Sequence, residues 1–169
     1  EIMPSLVGSE MCIRDRTIYF FNGFKKILHQ HYPMNGNSME LVQIKNVRRK
    51  EIKDPEVIVK MQSSLIARRH DVEENRDTYY VYDHPEFSQV VKENVQTLIE
   101  RLGVDVSVEG FEIVPIKGKK IVATIFGRKV DANIGIYKLS GSPELLTFLY
   151  RTGMGGRRSE GHGMWEIVY

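Results

Sequence analysis

Phe87, Val90, Val91, Val95, Leu98 and Leu102 recur at helical spacing, and this stretch constrains the fold more than any other. Asp83 and Glu86 form a capping-box-like pair ahead of it, Pro85 sits in the first turn, and Gly103 is placed to close the C-terminus. Extended patterns flank the helix on both sides. Before it, Val57 to Leu65 reads as a strand, Ala67 to Asp77 as a charged loop or hairpin tip, and Tyr79 to Tyr82 as a short returning strand. After it, Val104, Val106 and Val108 alternate, and Phe111 to Ile116 continues as strand. Gly118 makes a turn among Lys117, Lys119 and Lys120, then Ile121, Ala123 and Ile125 alternate as far as Gly127. Ala132 to Leu139 is a further extended piece.

A second helix opens at Ser142-Pro143-Glu144, with Leu145, Leu146, Phe148 and Leu149 on its apolar side, and Met164 to Tyr169 ends the chain as a strand. Strand, helix, two or more strands, helix, strand is a βαββαβ order. It predicts an α+β, ferredoxin-like domain over residues 55–169, an antiparallel sheet with both helices on one face. Upstream, Phe20 to Tyr32 has helical spacing, ended by Pro33 and the Asn35-Gly36-Asn37 turn, and Glu40 to Lys50 suggests an edge strand. Residues 17–54 therefore read as the tail of a second, partial ferredoxin-like domain.

Residues 1–16 stand outside this reading. Leu6 to Arg16 matches a translated transposase-type sequencing adapter, and the chain begins with Glu1, so the native part is expected to be 17–169 with more sequence upstream. Losing half a sheet in this way is expected to expose apolar strand edges and favour association between chains. Cys12 is the one cysteine of the 169 residues. Setting it aside removes disulfides, cysteine-ligated zinc and a cysteine nucleophile from consideration. No apolar run approaches a membrane span and no signal-peptide pattern is visible, so a cytoplasmic location is expected. Charge is uneven: residues 115–169 hold 9 basic and 4 acidic side chains, against 13 and 15 over residues 17–114. A basic C-terminal third points to a polyanion partner.

That basic third contains the segment with chemistry in it. Residues 153–163 read Gly-Met-Gly-Gly-Arg-Arg-Ser-Glu-Gly-His-Gly and hold five of the fourteen glycines. Glycine permits positive φ and close backbone approach, so successive N–H groups can converge on a phosphate, and the planar forks of Arg157 and Arg158 suit bidentate phosphate contacts. A Walker loop is absent, and a dinucleotide fingerprint would need glycine where Arg158 stands. The bland alternative is a tight connection bearing a solvated charge pair.

Gly153-Met154-Gly155, five residues containing arginine, then Gly161-His162-Gly163 resembles the motif that ends the CRISPR repeat-processing endoribonucleases, the sixth Cas family of the repeat-associated RNA-binding superfamily. The flanking Ser142–Leu146 helix and Met164-Trp165-Glu166 strand are similar too. The resemblance implies metal-independent cleavage of CRISPR repeat RNA in precursor transcripts, in antiviral defence. Attack of a 2′-hydroxyl on the adjacent phosphate would leave a 2′,3′-cyclic phosphate. It implies RNA as partner and no cofactor, and leaves room for a CRISPR effector complex as a further partner. Carried onto this sequence, the RNA-binding residues are Gly153, Gly155, Gly156, Arg157, Arg158, Gly161, His162 and Gly163. No catalytic residue is assigned, because the family's histidine is expected in the front half of the first domain. His162 stands where the family commonly has an aromatic residue, and is read as packing or stacking. Two rivals stay open: a non-cleaving RNA-binding subunit of the same superfamily, and a ferredoxin-like domain binding small anions.

The remaining candidates favour structural roles. His29 and His31, two apart on the expected helix, point in different directions and do not suit a metal. His70 beside Arg68 and Arg69 could touch RNA, but Asp71, Glu73 and Glu74 dilute the charge. His84 reads as a helix-start residue, Lys117, Lys119, Lys120, Arg128 and Lys129 as solvated turns, and Trp165 as core or edge packing.

Overall fold

The computed structural model describes residues 18–34, 36–43 and 50–168, and the chain divides after Lys50 into two compact units. The adapter-like residues 1–16 and most of the strand expected over 40–50 lie outside the described residues. In the first unit, α1 (Ile18–Lys26) is followed by β1 (His31–Met34) and β2 (Asn37–Glu40), an antiparallel hairpin with Pro33 opposite Ser38. The helix is shorter than its apolar spacing predicts, and His31 lies in a strand. His29 takes a left-handed conformation (φ 61°), which turns the chain before Pro33 would have blocked the helix.

The second unit contains β3 (Glu56–Met61), β4 (Ala67–Asp71), β5 (Arg76–Tyr80), α2 (Phe87–Leu102), β6 (Glu112–Ile125), β7 (Arg128–Ser140), α3 (Pro143–Thr152) and β8 (Trp165–Ile167). The main sheet runs β6-β7-β3-β8, antiparallel throughout. From β8 inward, these are the fourth, first, third and second strands of the βαββαβ motif, which is the ferredoxin-like order predicted. Both helices cover one face. Phe87, Val90, Val91, Val95, Leu98 and Ile99 of α2 and Leu145, Leu146, Leu149 and Tyr150 of α3 close over Val57, Val59, Tyr137, Leu139 and Trp165. Leu102, expected on the buried face, is 54% exposed; Ile99 takes the core position one turn earlier.

Three local expectations change. The capping box is absent: Asp83 and Glu86 make no cap, and the His84 ring instead accepts from the Glu86 N–H at 3.2 Å. Gly103 does close α2, left-handed at φ 59°. Val104, Val106 and Val108 are half-buried against the core without joining a strand, because alternation reports which side is buried and not whether a neighbour exists to pair with. Lys117–Lys120 is no turn. β6 is continuous, with a bulge between Pro115 and Lys117, and reverses only at Phe126-Gly127. Gly118 and Gly135 face each other there because a side chain at either would overlap, respectively, the Tyr82 ring and the Lys117 carbonyl.

Ala67 to Asp77 becomes the paired β4–β5 hairpin, inserted between the first strand and first helix of the motif. Asn133, fully buried, fixes its base. The Asn133 amide nitrogen donates to the carbonyls of Leu65 (3.2 Å) and Tyr80 (3.0 Å), and its oxygen accepts from the Tyr82 N–H (2.7 Å). Ile66 then packs with Ala123, Ile125, Val130 and Ala132 in a smaller second core.

Candidate nucleic-acid interface

α3 is capped by Ser142, whose hydroxyl accepts from the Leu145 N–H, and it ends at Gly153 (φ 75°). Met154 turns inward to full burial, so the loop starts from a plug in the core. Its two legs then lie side by side. The Met154 N–H donates to the Gly163 carbonyl at 3.0 Å, and a side chain on Gly163 would overlap the Met154 carbonyl. On the other flank the loop rests on the connection between β3 and β4. Gly156 N–H donates to Ile66 O (2.7 Å), Gly163 N–H to Ser64 O (2.9 Å) and Met164 N–H to the Ser63 hydroxyl (2.9 Å). A Cβ on Gly155 would stand 2.6 Å from the Ile66 carbonyl.

These contacts narrow the expected role of the loop amides. The amides of Met154, Gly156, Glu160, Gly161 and Gly163 already donate to protein carbonyls and do not converge on an anion. Gly155 and Gly163 are required because neighbouring backbone approaches too closely for a Cβ, and φ is positive at Gly153, Gly155, Gly161 and Gly163. What the loop offers outward is side chains.

Arg157 stands at its crest in a left-handed conformation (φ 57°), with Arg158 opening a 3-10 turn that ends at Glu160. The Arg157 guanidinium donates to Glu160 (3.2 Å) and to Asp77 of β5 (3.5 Å). Asp77 is also approached by Arg68 (2.9 Å), the His70 ring (2.8 Å) and the Tyr79 hydroxyl (3.4 Å). Burial tends to raise the Asp77 pKa, but the bonds from His70 and Arg68 outweigh it and hold the carboxyl below the ordinary carboxylate value. Two arginines and a histidine thus share one carboxylate. Arg158 is half-buried, donating to the Gly155 carbonyl at 2.6 Å, and burial and then the charge of Arg101 lower its pKa; among the described residues it has no carboxylate partner. It remains cationic at neutral pH.

His162 lies between Gly161 and Gly163, half-buried, with Nδ1 2.7 Å from the hydroxyl of buried Ser64. Burial lowers its pKa below the ordinary imidazole value.

Arg68 and His70 were diluted by acidic neighbours in sequence, yet the β4–β5 pairing directs both toward Asp77 and the glycine loop. Asp71 and Glu74, by contrast, serve the hairpin turn, where the Asp71 carboxylate accepts from the Glu73 and Glu74 N–H groups. Arg69 points elsewhere, forked onto Glu93 (3.0 and 2.9 Å) and joined to Glu86 (2.7 Å), and ties the hairpin to α2. The other histidines are engaged: His29 with Glu40 (3.3 Å) and His31 with Ser38 (3.4 Å). Trp165 is fully buried, edge-on to Tyr150. Among the described residues no group of three or more metal-ligating side chains occurs, and no helix is long and apolar enough to cross a membrane.

The family model "CRISPR associated protein Cas6, C-terminal" matches residues 47–167, the span that holds the ferredoxin-like unit and its loop. The chain belongs to the Cas6 family. Its fold is shared with solved structures of low identity. A Cas6-related protein from Pyrococcus furiosus has 21% identity and a TM-score of 0.74, over 88% of this chain and 61% of that one. A RAMP protein described as binding different RNA substrates has 18% identity and a TM-score of 0.73, over 92% and 66%. A further CRISPR associated protein Cas6 has 17% identity and a TM-score of 0.69, over 89% and 64%. This Cas6-family chain therefore spans less than two thirds of the length of each. No curated protein sequence matches it.

Proposed function

We propose that this chain binds the repeat RNA of CRISPR precursor transcripts through the side chains of its glycine-rich loop, as part of a metal-independent endoribonuclease acting in antiviral defence. The observation that carries the reading is the loop itself. The amides of Gly153, Met154, Gly156, Glu160, Gly161 and Gly163 are occupied by protein carbonyls, so the side chains of Arg157, Arg158 and His162 are the main groups left to meet an anion, with Arg68 and His70 beside them. Gly153, Gly155, Gly156, Gly161 and Gly163 hold that geometry. Cleavage in such an enzyme is attack of a 2′-hydroxyl on the neighbouring phosphate, assisted by general acid–base groups.

A second reading, a non-cleaving RNA-binding subunit, is supported by the histidines' own contacts: in His29, His31, His70, His84 and His162 the Nδ1 atom is held by the protein. The test is the full chain with end-labelled CRISPR repeat RNA in EDTA, following binding and cleavage together. Binding without efficient cleavage is expected. Arg157→Ala/Arg158→Ala should weaken it and flatten the salt slope by about 1.4, two single-strand phosphate contacts at about 0.7 each. An unchanged slope would remove both arginines from the interface. Efficient cleavage in EDTA would favour the enzyme reading and direct attention to His29, His31 and His162.

A further inference from the structure

Ser64 was not singled out by any sequence pattern, yet it decides what His162 can do. Its hydroxyl is buried, and among the described residues its one hydrogen-bond partner is His162 Nδ1 at 2.7 Å. A buried hydroxyl proton needs an acceptor, and this nitrogen is the acceptor on hand. If Ser64 donates to Nδ1, the neutral imidazole must carry its own proton on Nε2. With the proton on Nδ1 instead, the ring would donate to the Ser64 oxygen and the hydroxyl proton would have to turn away from the ring, where among the described residues it meets no acceptor. Nε2 has no protein partner among the described residues and is not among the buried unsatisfied atoms, so it reaches the surface. The ring is flanked by Gly161 and Gly163, so no adjacent side chain screens it. The charged groups facing it are Glu160 and Arg157 of its own loop, of opposite sign, and Ser64 opposite contributes no charge.

We infer that Ser64 is a positioning residue that locks His162 in the Nε2–H tautomer, and that His162 is a neutral hydrogen-bond donor to an RNA phosphate oxygen. The inference rests on the RNA-binding reading above and deepens it: the loop reads the phosphodiester with two cations and one uncharged donor. A neutral donor strengthens binding without releasing a counterion, so its signature differs from that of the arginines.

The experiment has two arms. In the first, the full chain labelled with nitrogen-15 histidine is examined by NMR at pH 7, the His162 signals being assigned from their loss in His162→Phe. The expected spectrum has a bare Nδ1 and a protonated Nε2, and Ser64→Ala lets the other tautomer appear. A protonated Nδ1, or a cationic ring at pH 7, would overturn the lock. In the second arm, binding of end-labelled CRISPR repeat RNA is measured against salt. His162→Phe, which keeps an aromatic ring, should weaken binding about fivefold with the slope unchanged. Binding equal to that of the unaltered chain would show stacking in place of donation, and a reduced slope would show a charged contact; either overturns the proposal. Ser64→Ala leaves the ring in place, and weaker binding by it at unchanged slope supports the lock even where His162→Phe unsettles the loop. Absence of RNA binding by the unaltered chain would sink the RNA reading and the role of Nε2, while the spectrum would still decide the Ser64–His162 lock.

Discussion

Gly161 and Gly163 are two residues apart, share a left-handed backbone (φ 87° and 83°) and stand in different surroundings. Nothing lies within 4 Å of a Cβ at Gly161, whereas one at Gly163 would overlap the Met154 carbonyl. Gly161→Ala should therefore cost only the backbone strain, about 1 kcal/mol, and leave the loop in place. Gly163→Ala adds a clash between two backbone segments that cannot both move, because Met154 is plugged into the core. It should cost more than about 3 kcal/mol. Urea denaturation of the two variants checks the difference; equal costs would mean that the two legs are not in contact.

The β4–β5 hairpin is the element that turns an ordinary ferredoxin-like unit into a charged platform. It is held from three sides: by Asn133 at its base, by Arg69 on Glu93 and Glu86 of α2, and by Asp77, which joins Arg68 and His70 to Arg157 of the loop. Because its folded pKa is depressed, the Asp77 carboxylate stabilises the protein fully above the unfolded value of about 4, and that contribution is lost as pH falls through the folded pKa. Asp77→Asn should lower stability at pH 7 by about 1 kcal/mol, the ion pairs being partly screened by solvent. The gap between the two proteins should close below about pH 4. Urea midpoints measured from pH 7 to pH 3 test this, and a gap that widens in acid would contradict the assignment.

At the scale of the whole chain, the principal core is drawn from Ile52 to Trp165 and lies within residues 51–169. The expectation that a truncated first domain would leave a half-formed sheet does not touch this unit, whose four strands and two helices complete the βαββαβ motif. Removing residues 1–50 should leave one cooperative urea transition with a midpoint close to that of the full chain, since hydrophobic burial supplies most of the stability. A broad or absent transition would show that the first unit supports the core.

Apolar spacing, helix-end residues and glycine content made legible the helix at residues 87–102, its Gly103 stop, the helix opening at Ser142-Pro143-Glu144, the strand–helix order and the glycine-rich segment at 153–163. All of these depend on neighbours a few residues apart, which the sequence displays directly. It was less able to show where strands stop: Val104–Val108 alternate without pairing, and Gly118 looked like a turn because glycine signals close approach as readily as reversal. The arrangement of the candidate interface was decided by contacts far apart in the chain. Asp77 meets Arg157, Ser64 meets His162 and Ile66 receives the Gly156 amide, pairs separated by 80, 98 and 90 residues. Sequence determined that an arginine-bearing glycine loop would follow the last helix. Tertiary structure decided that the amides of Met154, Gly156 and Gly163 are spent on protein carbonyls while Arg157 stands at the crest, because a hydrogen bond forms only where folding has already brought donor and acceptor together.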